Sequence, residues 1–262
     1  FRFTEAAFGT DVYMYLLIGT EKALLIDTGY GFSDVPGAIR RLTDKPLLVV
    51  NTHGHMDHIH GNHLYPQSEI FLSEKDEEVF ARHTDKAYLF ELVKGLAAGM
   101  GISEAALQLP ELNVEGIVTS YPSKHLPLPE SMHFELGERP VDLIELPGHT
   151  AGSIGLLDRK NRWLFASDMV CRDGVLLHFP ESSSVEVFRK SNRKVKALVE
   201  SGEVTTLFPG HQEVPVGLDV LDDYEVGCAM LLDGEVEETI LQKGKVTVHA
   251  TSITFDRNKL RG

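Results

Sequence analysis

A short apolar run, Leu47-Leu48-Val49-Val50, opens onto His53-Gly54-His55-Met56-Asp57-His58, and this junction restricts the chain more than any other segment. Zn²⁺ prefers imidazole nitrogen and accepts carboxylate oxygen, so the run offers four metal-binding side chains within six positions. In an extended segment or turn, side chains two apart point the same way, which lets His53 and His55 grip one ion. Asp57 and His58 fall where the backbone is expected to turn into a helix, aimed at a second ion beside the first. A His-rich loop also suits a solvated surface, so the downstream sequence decides.

Three later segments share one design. Val141-Asp142-Leu143-Ile144-Glu145-Leu146 leads into Pro147-Gly148-His149-Thr150, Trp163-Leu164-Phe165 into Ala166-Ser167-Asp168, and Thr206-Leu207-Phe208 into Pro209-Gly210-His211. Each reads as a strand that ends in a small-residue turn and presents a ligand. Glycine at such turns permits close backbone approach and positive φ, and strand ends hold ligands rigidly.

With Leu25-Ile26-Asp27-Thr28-Gly29 upstream, the set H-x-H-x-D-H, P-G-H-T, S-D and P-G-H resembles the metallo-β-lactamase-fold hydrolase superfamily along nearly the whole chain. The resemblance implies an α/β fold: a four-layer αββα sandwich of two mixed β-sheets, as a single domain over 1–262. It implies two Zn²⁺ ions, one held by His53, His55 and His149 and the other by Asp57, His58 and His211, with Asp168 bridging them. Asp27 would lie beneath the site without being a ligand, and Asp57 and Asp168 are the expected catalytic carboxylates. Oxygen and nitrogen donors also admit manganese or iron according to supply. A zinc pair lowers the pKa of bound water from about 15.7 to about 7. The implied reaction is therefore attack of a metal-bridging hydroxide on the carbonyl of an ester, thioester or lactone.

Composition narrows the partners. A formal net charge of −14 disfavours phosphate backbones, so a small-molecule substrate is expected and nucleic acid is not. The one basic stretch, Arg189 to Lys196, reads as the solvated face of a helix from about Ser184 to Ser201. No apolar run approaches the ~20 residues of a bilayer span, so no membrane is expected. Two cysteines, Cys171 and Cys228, are too few for a disulfide framework, which fits a reducing, cytoplasmic setting. Cys171 is read as an apolar filler near Asp168.

Along the chain, strands are expected at Val12 to Ile18, Ala23 to Ile26, Leu47 to Asn51 and Glu69 to Leu72. A helix is expected from Pro36 to Leu42 and a short one over 58–64. Residues 73–128 read as a helical insertion, with helix starts at Ser73-Glu74-Lys75-Asp76, Tyr88 to Val93 and Ser103 to Leu109. The insertion is either a lid and pocket wall or an outer layer or homodimer surface. Strands return at 141–146, 153–157 and 162–166, with a hairpin turn from Asp158 to Asn161. A helix near Gly217 to Leu232 and strands at 246–248 and 252–255 complete the chain.

The remaining histidines divide by context. His60 and His63 are expected to be structural and His83, His133 and His249 to be surface or packing residues, while His125 and His178 are only candidates to reach a pocket from loops. Tyr30 is a candidate pocket wall. Gly152-Ser153-Ile154-Gly155 is not G-x-S-x-G and opens a strand, so Ser153 is not a nucleophile.

Among the family's branches, the glyoxalase II and lactonase types fit best. Aspartate at the bridging position speaks against β-lactamase-like amide hydrolysis, whose pattern calls for cysteine or serine there. Glyoxalase II proteins carry a C-terminal helical domain, and residues 212–262 read as too short and strand-rich for one. A phosphodiesterase or nuclease fits the ligands equally but not the acidic charge. A diiron oxygen- or nitric-oxide-reducing module would need an acid where His55 stands.

Overall fold

The structure, a computed structural model, describes residues 1–5, 10–31, 33–99, 125–234 and 236–262. Its contacts divide into two compact units, Phe1–Leu128 and Pro129–Gly262.

In the first unit, β1 (Arg2–Glu5) and β2 (Thr10–Tyr13) form an antiparallel ribbon. A five-stranded sheet follows, β3 (Tyr15–Ile18), β4 (Ala23–Ile26), β5 (Leu47–Val50), β6 (Glu69–Leu72) and β7 (Leu126–Pro127), in sequential order. β3 and β4 are antiparallel, and every later pair is parallel. The run expected as one strand over Val12 to Ile18 is divided at Met14, because β2 pairs with β1 whereas β3 pairs with β4. All four residues of β4 are buried, which explains its unbroken apolar sequence.

Helix α1 (Val35–Leu42) supplies the parallel crossover from β4 to β5. Asp34 accepts the Gly37 N–H at 2.8 Å, Pro36 lies in the first turn, and Arg40 and Arg41 face the negative end of the dipole. Its apolar stripe, Val35 and Ile39, packs with Leu25, Val49 and Ile70 of the sheet. After β5 come α2 (Met56–Ile59) and a 3₁₀ turn, His60–Leu64. After β6 come a 3₁₀ turn at Glu74–Asp76, α3 (Glu77–His83) and α4 (Lys86–Gly99). The helix expected over Ser103 to Leu109 lies outside the described residues.

In the second unit, β8 (His133–Glu135), β9 (Pro140–Glu145), β10 (Ile154–Asp158), β11 (Trp163–Ser167) and β13 (Thr206–Pro209) form a sheet ordered β13-β11-β10-β9-β8. β9 and β11 are both antiparallel to β10, and β13 is parallel to β11. The three strands that precede candidate ligands therefore run the same way and end at one edge. β12 (Val175–Leu177), β14 (Lys245–Val248) and β15 (Thr251–Phe255) make a smaller mixed sheet.

Helices α5 (Val185–Glu200), α6 (Val220–Asp233) and α7 (Glu238–Lys243) accompany these strands. Ser184 caps α5 by accepting the Val187 N–H, and Ser201 follows its end, as the sequence suggests. The basic stretch lies on α5, and three of its five cations also reach across to α6. Arg189 and Arg193 both donate to Glu225, and Lys196 pairs with Asp222. Between the helices, Phe188 and Val195 meet Tyr224 and Cys228 in one core. β8 and α7 are not expected from sequence. Each is too short to carry a periodic signal: β8 is defined by pairing with β9, and α7 ends at Gly244 in the left-handed conformation.

Candidate metal centre

Parallel strands place ligands at their carboxyl ends. In the first unit, β4 and β5 lie in register with Ile26 opposite Val50, so Asp27 and the loop after β5 emerge side by side. Asp27 takes a left-handed φ of 59°, a conformation that costs a non-glycine residue about 1 kcal/mol or more and collects at functional sites. Its buried carboxylate accepts the Thr52 N–H (2.7 Å) and the Thr52 hydroxyl (2.8 Å), and stands 2.8 Å from His58 Nδ1.

These contacts decide the tautomers. A carboxylate can only accept, so His58 Nδ1 carries a proton and, in the neutral imidazole, Nε2 carries the lone pair. Thr52 has given its hydroxyl proton to Asp27, so it accepts from His53 Nδ1 at 3.1 Å, which likewise leaves the lone pair on His53 Nε2. A metal requires imidazoles in this state. The ligand atoms of His53 and His55 lie within 4.8 Å of each other, as do those of His53 and His58 and of Asp57 and His58. Asp57 stands in the first turn of α2 with Oδ2 3.6 Å from His58 Nε2.

A buried polar network fixes the loop from below. The His58 carbonyl accepts from the Thr28 N–H and the Asn51 amide. Asn62 exchanges hydrogen bonds with Asn51 and accepts from Thr28. Gly61 allows this closure, since a Cβ there would come within 2.1 Å of the Thr28 carbonyl oxygen. His60 is buried, which pushes its imidazole down to about 4, and its Nε2 donates to the His83 carbonyl at 2.9 Å. The structural reading of His60 and of His63, whose Nδ1 donates to the His60 carbonyl, agrees with these contacts.

In the second unit, Asp168 Oδ2 lies 3.4 Å from His149 Nε2 and 3.3 Å from His211 Nε2. His149 Nδ1 donates to the Leu176 carbonyl at 2.8 Å, so in the neutral imidazole its Nε2 carries the lone pair. One carboxylate oxygen thus faces two imidazole nitrogens, a grouping that a cation or a proton must join. Strand β11 is irregular between Phe165 and Ser167, and Ser167 and Gln212 have φ of 47° and 69°, so left-handed residues adjoin both Asp168 and His211.

Ties gather the three loops. Ser191 and Ser182 donate to the carbonyls of Pro147 and His149. Ser153 accepts the Thr150 N–H and shares a hydrogen bond with the Thr150 hydroxyl, which is a turn-fixing role for the serine excluded as a nucleophile. Arg172 reaches Glu213 and Asp219, and Asp173 N–H donates to the Gln212 side chain. Tyr224 donates to the Cys171 carbonyl, and burial pushes the Cys171 thiol up to about 12, as suits a filler rather than a thiolate ligand.

Other residues fall as follows. Tyr30 is buried, His249 pairs with Asp223, and His133 donates to Asp142. His125 packs on Phe80 in the first unit, and His178 lies against Phe179, whose ring meets His149 edge-on in the second. His83 is buried against His55, with ring centroids 4.7 Å apart. Sequence reading assigns no role to Thr52, Arg172 or the Leu176 carbonyl. Their parts depend on tertiary neighbours and leave no pattern along the chain.

Residues 7–211 match the metallo-beta-lactamase superfamily, and the chain belongs to it. It is similar to the bovine (Bos taurus) acyl-coenzyme A thioesterase MBLAC2, at 28% identity over 224 residues that cover 80% of this chain and 75% of that protein. The hydroxyacylglutathione hydrolase GloC of Haemophilus influenzae is 24% identical over 59% of this chain and 64% of its own. Among solved structures, the metallo-beta-lactamase family protein TTHA1429 from Thermus thermophilus superposes with a TM-score of 0.59 at 20% identity, covering 90% of this chain and 80% of that one. The fold is that of the superfamily, and the chain is a hydrolase of a class that implies metal ions. The donor set fits them, because Nδ1 of His53, His58 and His149 is engaged as a donor, so that each imidazole in its neutral form offers Nε2 as the ligand atom. No helix among the described residues is long and apolar enough to cross a membrane.

Proposed function

We propose that this chain is a dinuclear zinc hydrolase that cleaves a thioester or a related ester or lactone. The observation that carries the metal reading is the tautomer pattern: acceptors at Nδ1 of His53, His58 and His149 reserve each Nε2 for a cation. The proposed ligands are His53, His55, His149, Asp57, His58 and His211, with Asp168 shared. When bound, two zinc ions supply Lewis acidity and a nucleophile from water at neutral pH. Asp57 would hold a metal ion and stand beside the attacking water to take up a proton from it, and Asp168 would balance cationic charge. Asp27 and Thr52 hold His58 and His53 in the ligand tautomer.

The substrate class is supported by the relatives, one an acyl-coenzyme A thioesterase and the other a hydroxyacylglutathione hydrolase. Zinc-loaded protein should be assayed on an acyl-coenzyme A, a lactone, a β-lactam and a bis-aryl phosphodiester, with Asp57→Ala as control. The expected outcome is fastest turnover of the thioester and its loss in the variant. Preference for the phosphodiester overturns the substrate reading, and turnover that survives Asp57→Ala overturns the mechanism.

A further inference from the structure

Helix α3 follows the first ligand loop in sequence by some twenty residues, yet it holds that loop at both ends of α2. Asp76, buried in the turn before α3, accepts the Gly54 N–H at 2.9 Å, between His53 and His55. Gly54 lies so close to α3 that a Cβ there would meet the Phe80 backbone nitrogen at 2.8 Å. At the far end of α3, the Met56 N–H, the first of helix α2, donates to His83 Nδ1 at 3.2 Å. The first N–H groups of a helix have no partner within it, so this contact caps α2 between His55 and Asp57. In return, His60 at the end of α2 donates to the His83 carbonyl.

The Met56 contact also fixes the chemistry of His83. An N–H can only donate, so His83 Nδ1 carries the lone pair and Nε2 the proton. In that tautomer Nε2 cannot ligate a metal, although a ring nitrogen of His83 lies within 4.8 Å of the ligand atom of His55.

We propose that His83 is a positioning residue of the metal site: through Nδ1 it sets the entry of α2, and by ring packing it sets the orientation of His55. This inference rests on the metal reading above and assigns part of the 73–128 segment a task beyond lid or outer layer. His83→Asn keeps an acceptor oxygen at the place of Nδ1, His83→Gln offers a polar group only near the place of Nε2, and His83→Ala keeps neither.

The test uses cobalt(II) as probe, with affinity from chelator competition, the cobalt absorption spectrum, and hydrogen exchange of the Met56 amide in metal-free protein. His83→Ala and His83→Gln should bind cobalt about tenfold more weakly, change the spectrum and lose Met56 protection. His83→Asn should restore all three toward wild type. If His83→Ala does not fold, the Gln and Asn variants carry the comparison. Equal behaviour of Gln, Asn and wild type overturns the proposal. So does binding of one cobalt fewer per chain in His83→Ala, which would make His83 a ligand. Failure of wild-type protein to take up cobalt overturns the metal reading itself, whereas normal uptake with insensitive variants overturns only the role of His83.

Discussion

The two units reach their candidate ligands by opposite routes. In the first, four donors come from six consecutive residues, and one buried carboxylate, Asp27, organises the set through Thr52 and His58. In the second, His149, Asp168 and His211 come from three separate loops, and ties such as Arg172 to Asp219 and Ser182 to His149 gather them. The first arrangement concentrates its dependence on few groups and the second spreads it. Single substitutions should therefore act sharply in the first unit and gradually in the second.

Asp57→Ala is the largest expected effect. Its side chain is one-fifth exposed and lies in the first turn of α2, so its removal should cost stability only about 0.3–1 kcal/mol. Turnover should fall by roughly 10²–10⁴ if it handles the proton of the nucleophile. Steady-state kinetics beside a thermal melt separate the two, and a loss of activity matched by unfolding would contradict the assigned role.

Asp27→Asn comes next and attacks the organiser itself. An amide can accept from the Thr52 N–H, but its NH₂ then faces the Thr52 hydroxyl and the His58 Nδ1 proton. Relief comes if His58 moves its proton to Nε2, which removes the ligand lone pair. Metal affinity should drop by about 10–100-fold and stability by about 1–3 kcal/mol. Chelator competition and denaturant melts measure the two. Unchanged metal affinity would show that the first unit does not depend on one carboxylate.

The unequal legibility of the two routes has the same origin. H-x-H-x-D-H shows itself because its donors are adjacent, and the three strand ends show themselves because each joins an apolar run to a Pro-Gly or small-residue turn. Strand boundaries such as Glu69–Leu72 and helix limits such as Ser184 and Ser201 follow from local patterning and capping. His83 and Arg172 do not show themselves, since their partners lie 27 and 41 or more positions away. His83 in particular lies at the end of α3 with an ordinary sequence context, and only the approach of His55 and Met56 gives it meaning.

Arg172→Met probes the distributed side. The guanidinium holds Asp219 below the usual carboxylate range and ties the segment after Asp168 to the segment after His211. These pairs are largely at the surface, so the expected stability loss is about 1 kcal/mol, and turnover should fall only a few-fold. A collapse of metal binding as deep as that of Asp27→Asn would show that the second unit also depends on one residue.

Glu225→Gln should have the smallest effect and carries a pH signature. Burial pushes the Glu225 carboxyl up, but hydrogen bonds from Arg193 and Arg189 outweigh it and hold the group below its ordinary range. A carboxyl lowered in the fold stabilises it above the unfolded value and loses that contribution as pH falls through the folded value. Wild type should therefore exceed the variant by up to about 1 kcal/mol near neutrality, and the two should converge under acid. Because the pair joins α5 to α6 and contacts none of the ligand loops, turnover near neutrality should stay within about twofold of wild type. Melting curves from neutral to acid pH give the convergence. A gap that widens on acidification would mean that the arginines do not act through the charged carboxylate, and that the α5–α6 seam draws its stability from other contacts, such as those of Phe188 and Val195 with Tyr224 and Cys228.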